Sequence, residues 1–174
     1  MRDNKYEYGK WVETQIFPIL RKQRGFEDLT QVHEEYSRID GVIFNNLKVT
    51  PVQIKAISPR VLYQDISIKK TQFDVYKEIA EKNGEYVGIL ISSIYNPAYN
   101  LDYRVYRFKF SNIKYTVGTL SKYDSTPTVY LKLRDMEELD ILPIEFQKQM
   151  EKNHQEYIMP GVQDKYKHLY KNKF

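Results

Sequence analysis

The order of apolar patterns along the chain predicts an α/β fold. Between residues 6 and 96, a helical pattern is followed by three strand patterns, a second helical pattern and an apolar strand. Beyond residue 96 the pattern changes to aromatic and basic strands. Because 174 residues suit one domain with appendages, we expect a single α/β body with an extra β-rich half.

The first element is predicted to be an amphipathic helix over residues 6–24. Val12 and Ile16 lie at helical spacing and mark the buried face. Pro18 is expected to bend this helix, because a proline inside a helix removes a hydrogen bond. Gly25 is expected to end it.

A three-stranded meander is predicted next. The candidate strands are residues 30–37, 39–44 and 49–57, with a turn at Asn45-Asn46 between the second and the third. A second helix is then expected over residues 66–83, with Gly84 just beyond its end.

The apolar run at residues 85–94 predicts a strand that is covered on both faces. Further strands are expected within residues 103–120 and 128–133, followed by a short helix over residues 135–142. The last stretch, residues 144–174, is expected to be a helical piece with a basic tail.

The predicted domain organisation follows from these elements. Residues 1–143 form one α/β domain, with a core motif at residues 8–96 and a β-rich extension at residues 97–143. Residues 144–174 form a separate helical or basic tail.

Composition excludes several kinds of chemistry. The chain has no cysteine, which removes disulfides, thiolate zinc sites and cysteine nucleophiles, and fits a reducing compartment. Its three histidines are dispersed, and neither a G-x-S-x-G elbow nor a P-loop is present. No apolar run approaches the roughly 18 residues that a membrane span needs. We therefore expect a soluble, intracellular protein whose net charge of +4 weakly favours polyanions.

Polar side chains interrupt the predicted meander where a buried sheet would carry apolar ones. Gln53 and Lys55 project to one face of their strand, while Ile54 projects to the other. Asp40 belongs to the neighbouring strand, and a partly buried carboxylate is costly without a compensating cation. Oxygens of Asp40, the Gln53 amide and the Ile54 carbonyl suit Mg²⁺, and Lys55 can stabilise charge on a phosphate or position an attacking water.

The same residues resemble the PD-(D/E)XK nuclease superfamily. Glu13 in GKWVE, Asp40 in RIDG and the Gln53 to Lys55 segment in VQIKA stand at its motif positions, and the resemblance covers roughly residues 8–96. Within the superfamily the spacing is most similar to small archaeal Holliday-junction resolvases. Gln53 departs from the usual Glu or Asp, and Arg38-Ile39 replaces the usual proline.

The resemblance implies a restriction-endonuclease-like mixed sheet flanked by helices. It also implies a DNA endonuclease that depends on Mg²⁺, with Mn²⁺ as a possible substitute. Branched DNA is the first choice of substrate, and duplex DNA, cut as restriction enzymes cut it, is the second. Asp40, Gln53 and the Ile54 carbonyl would bind the metal, Lys55 would stabilise charge or orient water, and Glu13 would assist through a water or a second metal. The expected location is cytoplasmic, with a nucleoid or a viral factory as alternatives.

Two further expectations concern binding surfaces. Basic and aromatic side chains alternate near residue 104, which suits phosphate neutralisation with stacking and suits a half-exposed sheet equally. A homodimer is expected because one site cuts one strand, and the aromatic surplus at residues 103–115 and 129–133 suggests an exposed patch. The candidate DNA-binding residues are Lys10, Lys69, Lys70, Gln72, Arg104, Arg107 and Lys109.

Each candidate residue also has an ordinary structural explanation. Glu13 can be a solvated partner of Lys10, Asp40 a turn residue before Gly41, and Gln53 with Lys55 an exposed strand face. Two rival functions remain open at the level of sequence. One is a nucleic-acid-binding module that keeps the fold without its chemistry, and the other is a structural subunit of a larger complex.

Overall fold

A computed structural model describes residues 4–33, 37–57, 65–96, 100–139, 142–157 and 160. A short 3-10 helix at Leu133–Asp135 accompanies three α-helices and nine strands within these residues. The elements are α1 (Asn4–Leu20), β1 (Leu29–Gln31), β2 (Gly41–Asn45), β3 (Lys48–Ile57), β4 (Asp65–Lys69), α2 (Lys70–Asn83), β5 (Val87–Asn96), β6 (Asn100–Lys109), β7 (Tyr115–Ser121), β8 (Asp124–Lys132), β9 (Glu137–Glu138) and α3 (Ile144–Tyr157).

The strands form two sheets. The larger sheet has six strands in the order β1-β2-β3-β5-β6-β9, and the smaller has three in the order β4-β8-β7. In the larger sheet β3 and β5 are parallel, while the other neighbours are antiparallel. The predicted mixed sheet flanked by helices is therefore confirmed at this level of description, and the finer restriction-endonuclease assignment stays a prediction.

Helices α1 and α3 cover one face of the larger sheet. Val12 and Ile16 of α1 pack with Ile54 and other apolar residues of the sheet, as the helical spacing predicted. The ring of Trp11 stacks on that of Phe146 in α3, with centroids 5.7 Å apart. The helical piece predicted after residue 143 thus packs against α1. The predicted basic tail lies outside the described residues, apart from residue 160.

Helix α2 and the smaller sheet cover the opposite face. Phe73 and Tyr76 of α2 contact the aromatic rings of Tyr86 and Phe110. Strand β5 lies between the two cores, with Ile89 in one and Leu90 in the other. The prediction of a strand covered on both faces is therefore confirmed for its described side chains.

The aromatic surplus fills these cores rather than forming a patch. The residues of the two segments that are buried are Tyr103, Val105, Tyr106, Phe108, Phe110, Ile113, Val129, Leu131 and Leu133. The prediction of an exposed patch there is wrong, because these side chains are buried in the two cores on either face of the larger sheet. Tyr115, at the end of the first segment, is about half exposed.

The predicted meander is confirmed, since β1, β2 and β3 pair in antiparallel order. Its first strand is shorter than expected, and residues 34–36 lie outside the described residues. The turn falls one residue later than predicted, because Asn45 pairs with Lys48. Asn46 and Leu47 have φ of 43° and 70°, the left-handed pair that a tight hairpin requires.

The helix predicted over residues 66–83 begins only at Lys70. Residues 65–69 form β4, which pairs with β8. Ile66 and Ile68 are both buried in the core under this sheet. Their spacing of two residues suits a strand. Pairing with β8, about 60 residues later in the chain, stabilises the strand rather than a helix. The helix ends at Gly84 as predicted, with φ of 72°.

The helix predicted over residues 135–142 is also wrong. A 3-10 turn and β9 occupy residues 133–138, and residues 140–141 lie outside the description. Glu137 and Glu138 pair with β6, and their carboxylates form ion pairs with Arg107 and Arg104. These cross-strand pairs outweigh the helical preference of the glutamates. No α-helix in the described part of the chain has the length and apolar character for crossing a membrane.

Candidate active site

Asp40 lies directly before β2 and is fixed there by both its backbone and its side chain. Its amide donates to the Val52 carbonyl, with 3.0 Å between N and O, and its carbonyl accepts from the Val32 amide. Oδ2 accepts a 2.7 Å hydrogen bond from the Ile54 amide. Gly41 follows because a Cβ there would lie 2.9 Å from the Thr30 carbonyl oxygen. The RIDG segment thus aims the carboxylate at β3.

Gln53 is buried, and both ends of its amide are engaged. Nε2 donates to Oδ2 of Asp40 at 2.5 Å, while Oε1 lies 2.9 Å from the hydroxyl oxygen of Tyr86. That hydroxyl also lies 2.6 Å from the carbonyl oxygen of Arg38. Gln53 is therefore part of a buried polar chain, and the alternative of an exposed strand face is wrong for this residue.

Glu13, Asp40 and Lys55 line one cavity of about 740 Å³ between α1 and the sheet. The Glu13 carboxylate accepts a hydrogen bond from the backbone of Ala56. Lys10, one helical turn before Glu13, lines the same cavity. Three segments of the chain therefore place two carboxylates and one ammonium group at one cavity, while the roles of these residues stay a prediction.

Burial raises the pKa values of both carboxyl groups. The pKa of Glu13 rises from 4.5 to about 7, chiefly because the group is buried, and the charge of Asp40 adds to this. Lys55 and the Ala56 amide act in the opposite direction. Burial also raises the pKa of Asp40, against the effects of the Ile54 amide and Lys55. Lys55 therefore compensates only part of the cost of ionising the two acids.

Lys55 is held over an aromatic ring. Its Nζ lies 5.9 Å from the centroid of Tyr76, at the outer limit of a cation–π contact. Tyr76 is buried, and burial raises the pKa of its hydroxyl, against the effect of the Lys55 charge. Gln72 also hydrogen-bonds to Tyr76, and its predicted position facing the site stays a prediction.

The oxygen atoms available to a divalent cation are the Glu13 and Asp40 carboxylates, Oε1 of Gln53 and the Ile54 carbonyl. In the part of the chain that the structure describes, no group of three or more His, Cys, Asp or Glu side chains is clustered. As observed, Gln53 presents its nitrogen to Asp40. A half-turn of the amide would present Oε1 instead, and Nε2 could then donate to the Tyr86 oxygen.

The predicted DNA-binding residues divide into two groups. Lys10 lines the site cavity, and Lys69 and Gln72 line a second cavity next to it. The remaining four form ion pairs with carboxylates, namely Lys70 with Asp74, Arg104 with Glu138, Arg107 with Glu137 and Lys109 with Glu85. Arg104 and Arg107 also project to opposite faces of β6. A role of all seven residues in DNA binding stays a prediction.

Sequence reasoning missed Tyr86 and Tyr76. Tyr86 reaches Gln53 across 33 residues of sequence, and Tyr76 reaches Lys55 across the interface between α2 and β3. The only signal in the sequence was the position of Tyr86 directly before the apolar run of β5. Because the chain has sixteen tyrosines, this position did not distinguish Tyr86 from the others.

No protein-family model matches the chain, and no curated protein matches it either. The resemblance to PD-(D/E)XK nucleases therefore stays a prediction. What the structure defines is a mixed α/β fold with two acids, a buried amide and a lysine gathered beside one cavity.

Proposed function

We propose that this protein is a divalent-metal-dependent endonuclease that hydrolyses DNA phosphodiesters, preferably in branched or otherwise non-duplex structures. The proposal rests mainly on one observation: Asp40, fixed by the Ile54 amide and Gln53, shares a cavity with Glu13 and Lys55. Restriction-like cutting of duplex DNA is the second choice of substrate.

The residues present fit a hard divalent cation. Carboxylate, amide and carbonyl oxygens are the ligands that Mg²⁺ and Mn²⁺ accept. The raised pKa values of Glu13 and Asp40 also indicate uncompensated negative charge, which a cation would relieve. Asp40, Glu13, Gln53 and the Ile54 carbonyl would hold it. When bound, such an ion supplies Lewis-acid stabilisation of phosphate charge and activation of water.

The remaining work falls to the side chains of the cavity. The Lys55 ammonium group stabilises negative charge that develops on the phosphate oxygens. Glu13, whose carboxylate lines the same cavity and accepts from the Ala56 amide, would assist as a further ligand or through a water. Lys10 at the rim of the same cavity neutralises a neighbouring phosphate.

A specific observation also favours a second candidate function. Gln53 turns its amide nitrogen towards Asp40, so the pair is satisfied without a metal. A DNA-binding module that keeps the fold without catalysis would show this arrangement permanently. The two candidates differ in divalent-metal binding, which isothermal titration calorimetry with Mn²⁺ measures directly.

Cleavage assays test the proposal. The parent is incubated with branched, duplex and single-stranded DNA in Mg²⁺, Mn²⁺ or EDTA, beside Asp40→Asn and the exposed control Asp28→Asn. Asparagine keeps an acceptor for the Ile54 amide, so the fold should persist. We expect metal-dependent cleavage that falls on the order of 100-fold or more in Asp40→Asn alone, since even indirect supports of a metal site cost 10–100-fold. Equal cleavage by Asp40→Asn and the parent would remove Asp40 from the site.

Affinity for DNA separates both candidates from a structural subunit. The logarithm of the binding constant should fall with the logarithm of salt concentration, with a slope of about −0.9 for each phosphate contacted. A flat response would favour the structural subunit.

Symmetric cutting of two strands also requires two sites, so we propose a homodimer on DNA. A mass near 20.9 kDa by light scattering, with and without DNA, would exclude it.

A further inference from the structure

A second cavity lies beside the candidate active site, between the two sheets. It has a volume of about 640 Å³, and Lys55 and Ala56 line both this cavity and the one that contains Asp40. A ligand that extends past Lys55 can therefore occupy both spaces at once. A cavity of this size is typical of small-molecule sites and cannot admit a double helix.

The walls of this second cavity are apolar and buried. They include Ile66, Ile68, Leu90, Phe108 and Leu131, all of which are fully or almost fully buried. These walls belong to both sheets and to the core beneath α2. Such a surface takes up the flat faces of a planar ring and offers no hydrogen bonds to a sugar or a phosphate.

The polar groups of the cavity lie at its edge and are basic or neutral. Among the described residues that line it, Lys55 and Lys69 are charged and none is acidic. Thr71 and Gln72, which are exposed at the start of α2, add neutral donors and acceptors. The cavity therefore suits an anionic ligand that carries an apolar ring with a polar edge, which is the chemistry of a nucleotide.

We propose that this cavity binds an unstacked nucleobase of the DNA strand whose phosphate lies at Lys55. The inference rests on the proposed function, because the phosphate at Lys55 links the two cavities. A base leaves a regular duplex only at the cost of unpairing and unstacking, and this cost is least where the strand is already unpaired. The cavity would therefore make the protein selective for branches, flaps, bulges or single strands over intact duplex.

Binding to strands with and without bases tests this inference in EDTA, where cleavage plays no part. The probes are a fluorescent single-stranded oligonucleotide and the same backbone with abasic sites, which carries the same phosphate charge. Base stacking in the cavity should make the parent bind the strand with bases about tenfold more tightly. Equal affinity for the two strands would overturn the proposal.

Cavity-filling variants locate the binding surface. Leu90→Phe and, separately, Ile68→Phe enlarge side chains that border the cavity, and each should abolish the preference for bases while leaving affinity for the abasic strand unchanged. Leu139→Phe borders a different, smaller cavity and is the matched control. Thermal unfolding identifies a variant that fails to fold, in which case the other one decides. A folded filling variant that keeps the full preference would overturn the proposal.

Two further outcomes are informative. If the parent cleaves DNA in Mg²⁺ but does not distinguish bases from abasic sites, this inference fails and the proposed function stands. If Asp40→Asn cleaves like the parent, the proposed function fails, whatever the result for the cavity.

A fluorescent fatty acid is the competing probe, because an apolar cavity with lysines at its edge also suits a fatty acid. Its expulsion by Leu90→Phe, without any effect on DNA binding, would overturn the nucleobase proposal.

Discussion

The hydroxyl oxygen of Tyr86 lies 2.9 Å from Oε1 of Gln53 and 2.6 Å from the carbonyl oxygen of Arg38. In this arrangement both neighbours of the hydroxyl are acceptors, so the hydroxyl acts only as a donor. Nε2 of Gln53 donates to Asp40. If Gln53 turns its oxygen towards a cation, its nitrogen faces Tyr86. The hydroxyl can then accept from Gln53 and donate to the Arg38 carbonyl, so Tyr86 can support both orientations of the amide.

Tyr86→Phe should therefore weaken metal binding. With the amide turned, the Tyr86 hydroxyl forms two hydrogen bonds, because it accepts from Nε2 of Gln53 and donates to the Arg38 carbonyl. In the observed orientation its single hydrogen lies between two acceptors. Loss of the hydroxyl thus costs more with metal than without it. We expect the Mn²⁺ affinity, measured by calorimetry, to fall about tenfold.

A control and a spectroscopic signal accompany this prediction. Tyr130→Phe removes a hydroxyl that donates to the Thr119 carbonyl on the smaller sheet, and should leave metal affinity unchanged. In spectra of glutamine-labelled protein, the side-chain amide signal of Gln53, identified by its loss in Gln53→Glu, should shift on addition of Mg²⁺. Equal Mn²⁺ affinities of the parent and Tyr86→Phe would argue against a role for the hydroxyl.

Leu47→Gly should stabilise the protein. Leu47 is fully exposed and has φ of 70°, so its side chain contributes backbone strain without packing. An Asn-Gly pair is the preferred sequence for such a hairpin. Relief of strain outweighs the greater chain entropy of glycine, and we expect a gain of about 0.5–1 kcal/mol in the free energy of unfolding.

Urea denaturation measures this gain. Leu47→Ala keeps a Cβ in the left-handed conformation and should show no comparable increase, which separates backbone strain from loss of an exposed leucine. A stability of Leu47→Gly equal to or below that of Leu47→Ala would contradict the assignment of strain.

Gly88→Ala should destabilise the protein. Gly88 pairs with Phe108 across β5 and β6, and a Cβ on Gly88 would overlap the phenylalanine ring. Overpacking of this kind costs about 1–3 kcal/mol. Phe108→Leu in the Gly88→Ala background should recover part of the loss, and a double-mutant cycle by denaturation checks the coupling. Independent, additive effects would show that the two residues do not compete for space.

Contacts that follow from the alternation of side chains along neighbouring strands could be predicted from the sequence. The proximity of Asp40 to Gln53 was predictable because neighbouring strands of a meander place their side chains in a fixed relation. Tyr86 was missed because its contact with Gln53 depends on the parallel pairing of β3 with β5, which no local pattern specifies.

The errors in secondary structure have the same origin. Ile66 and Ile68 suit a strand or one side of a helix, and the distant strand β8 decides. Glu137 and Glu138 favour a helix by themselves, and the arginines of β6 draw them into a strand. In each case a long-range partner outweighs the local preference.

The raised pKa of Glu13 predicts a specific dependence of stability on pH in EDTA. The pKa is about 7 in the folded protein and ordinarily 4.5, so the folded state binds more protons between these values. Stability contributed by Glu13 is therefore present below pH 4.5 and is lost as the pH rises through 7. Glu13→Gln cannot ionise, and its stability relative to the parent should rise by about 1–3 kcal/mol between pH 4.5 and pH 8.

Urea denaturation at a series of pH values measures this difference. Glutamine keeps an acceptor for the Ala56 amide, so the variant should retain the local structure. Glu145→Gln removes an exposed carboxylate on α3 and controls for the loss of one charge. A metal ion would favour the ionised form of Glu13, so Mn²⁺ should stabilise the parent most above pH 7. If the stability difference between Glu13→Gln and the parent stays constant from pH 4.5 to 8, Glu13 is not the repelled, buried acid that the proposed mechanism requires.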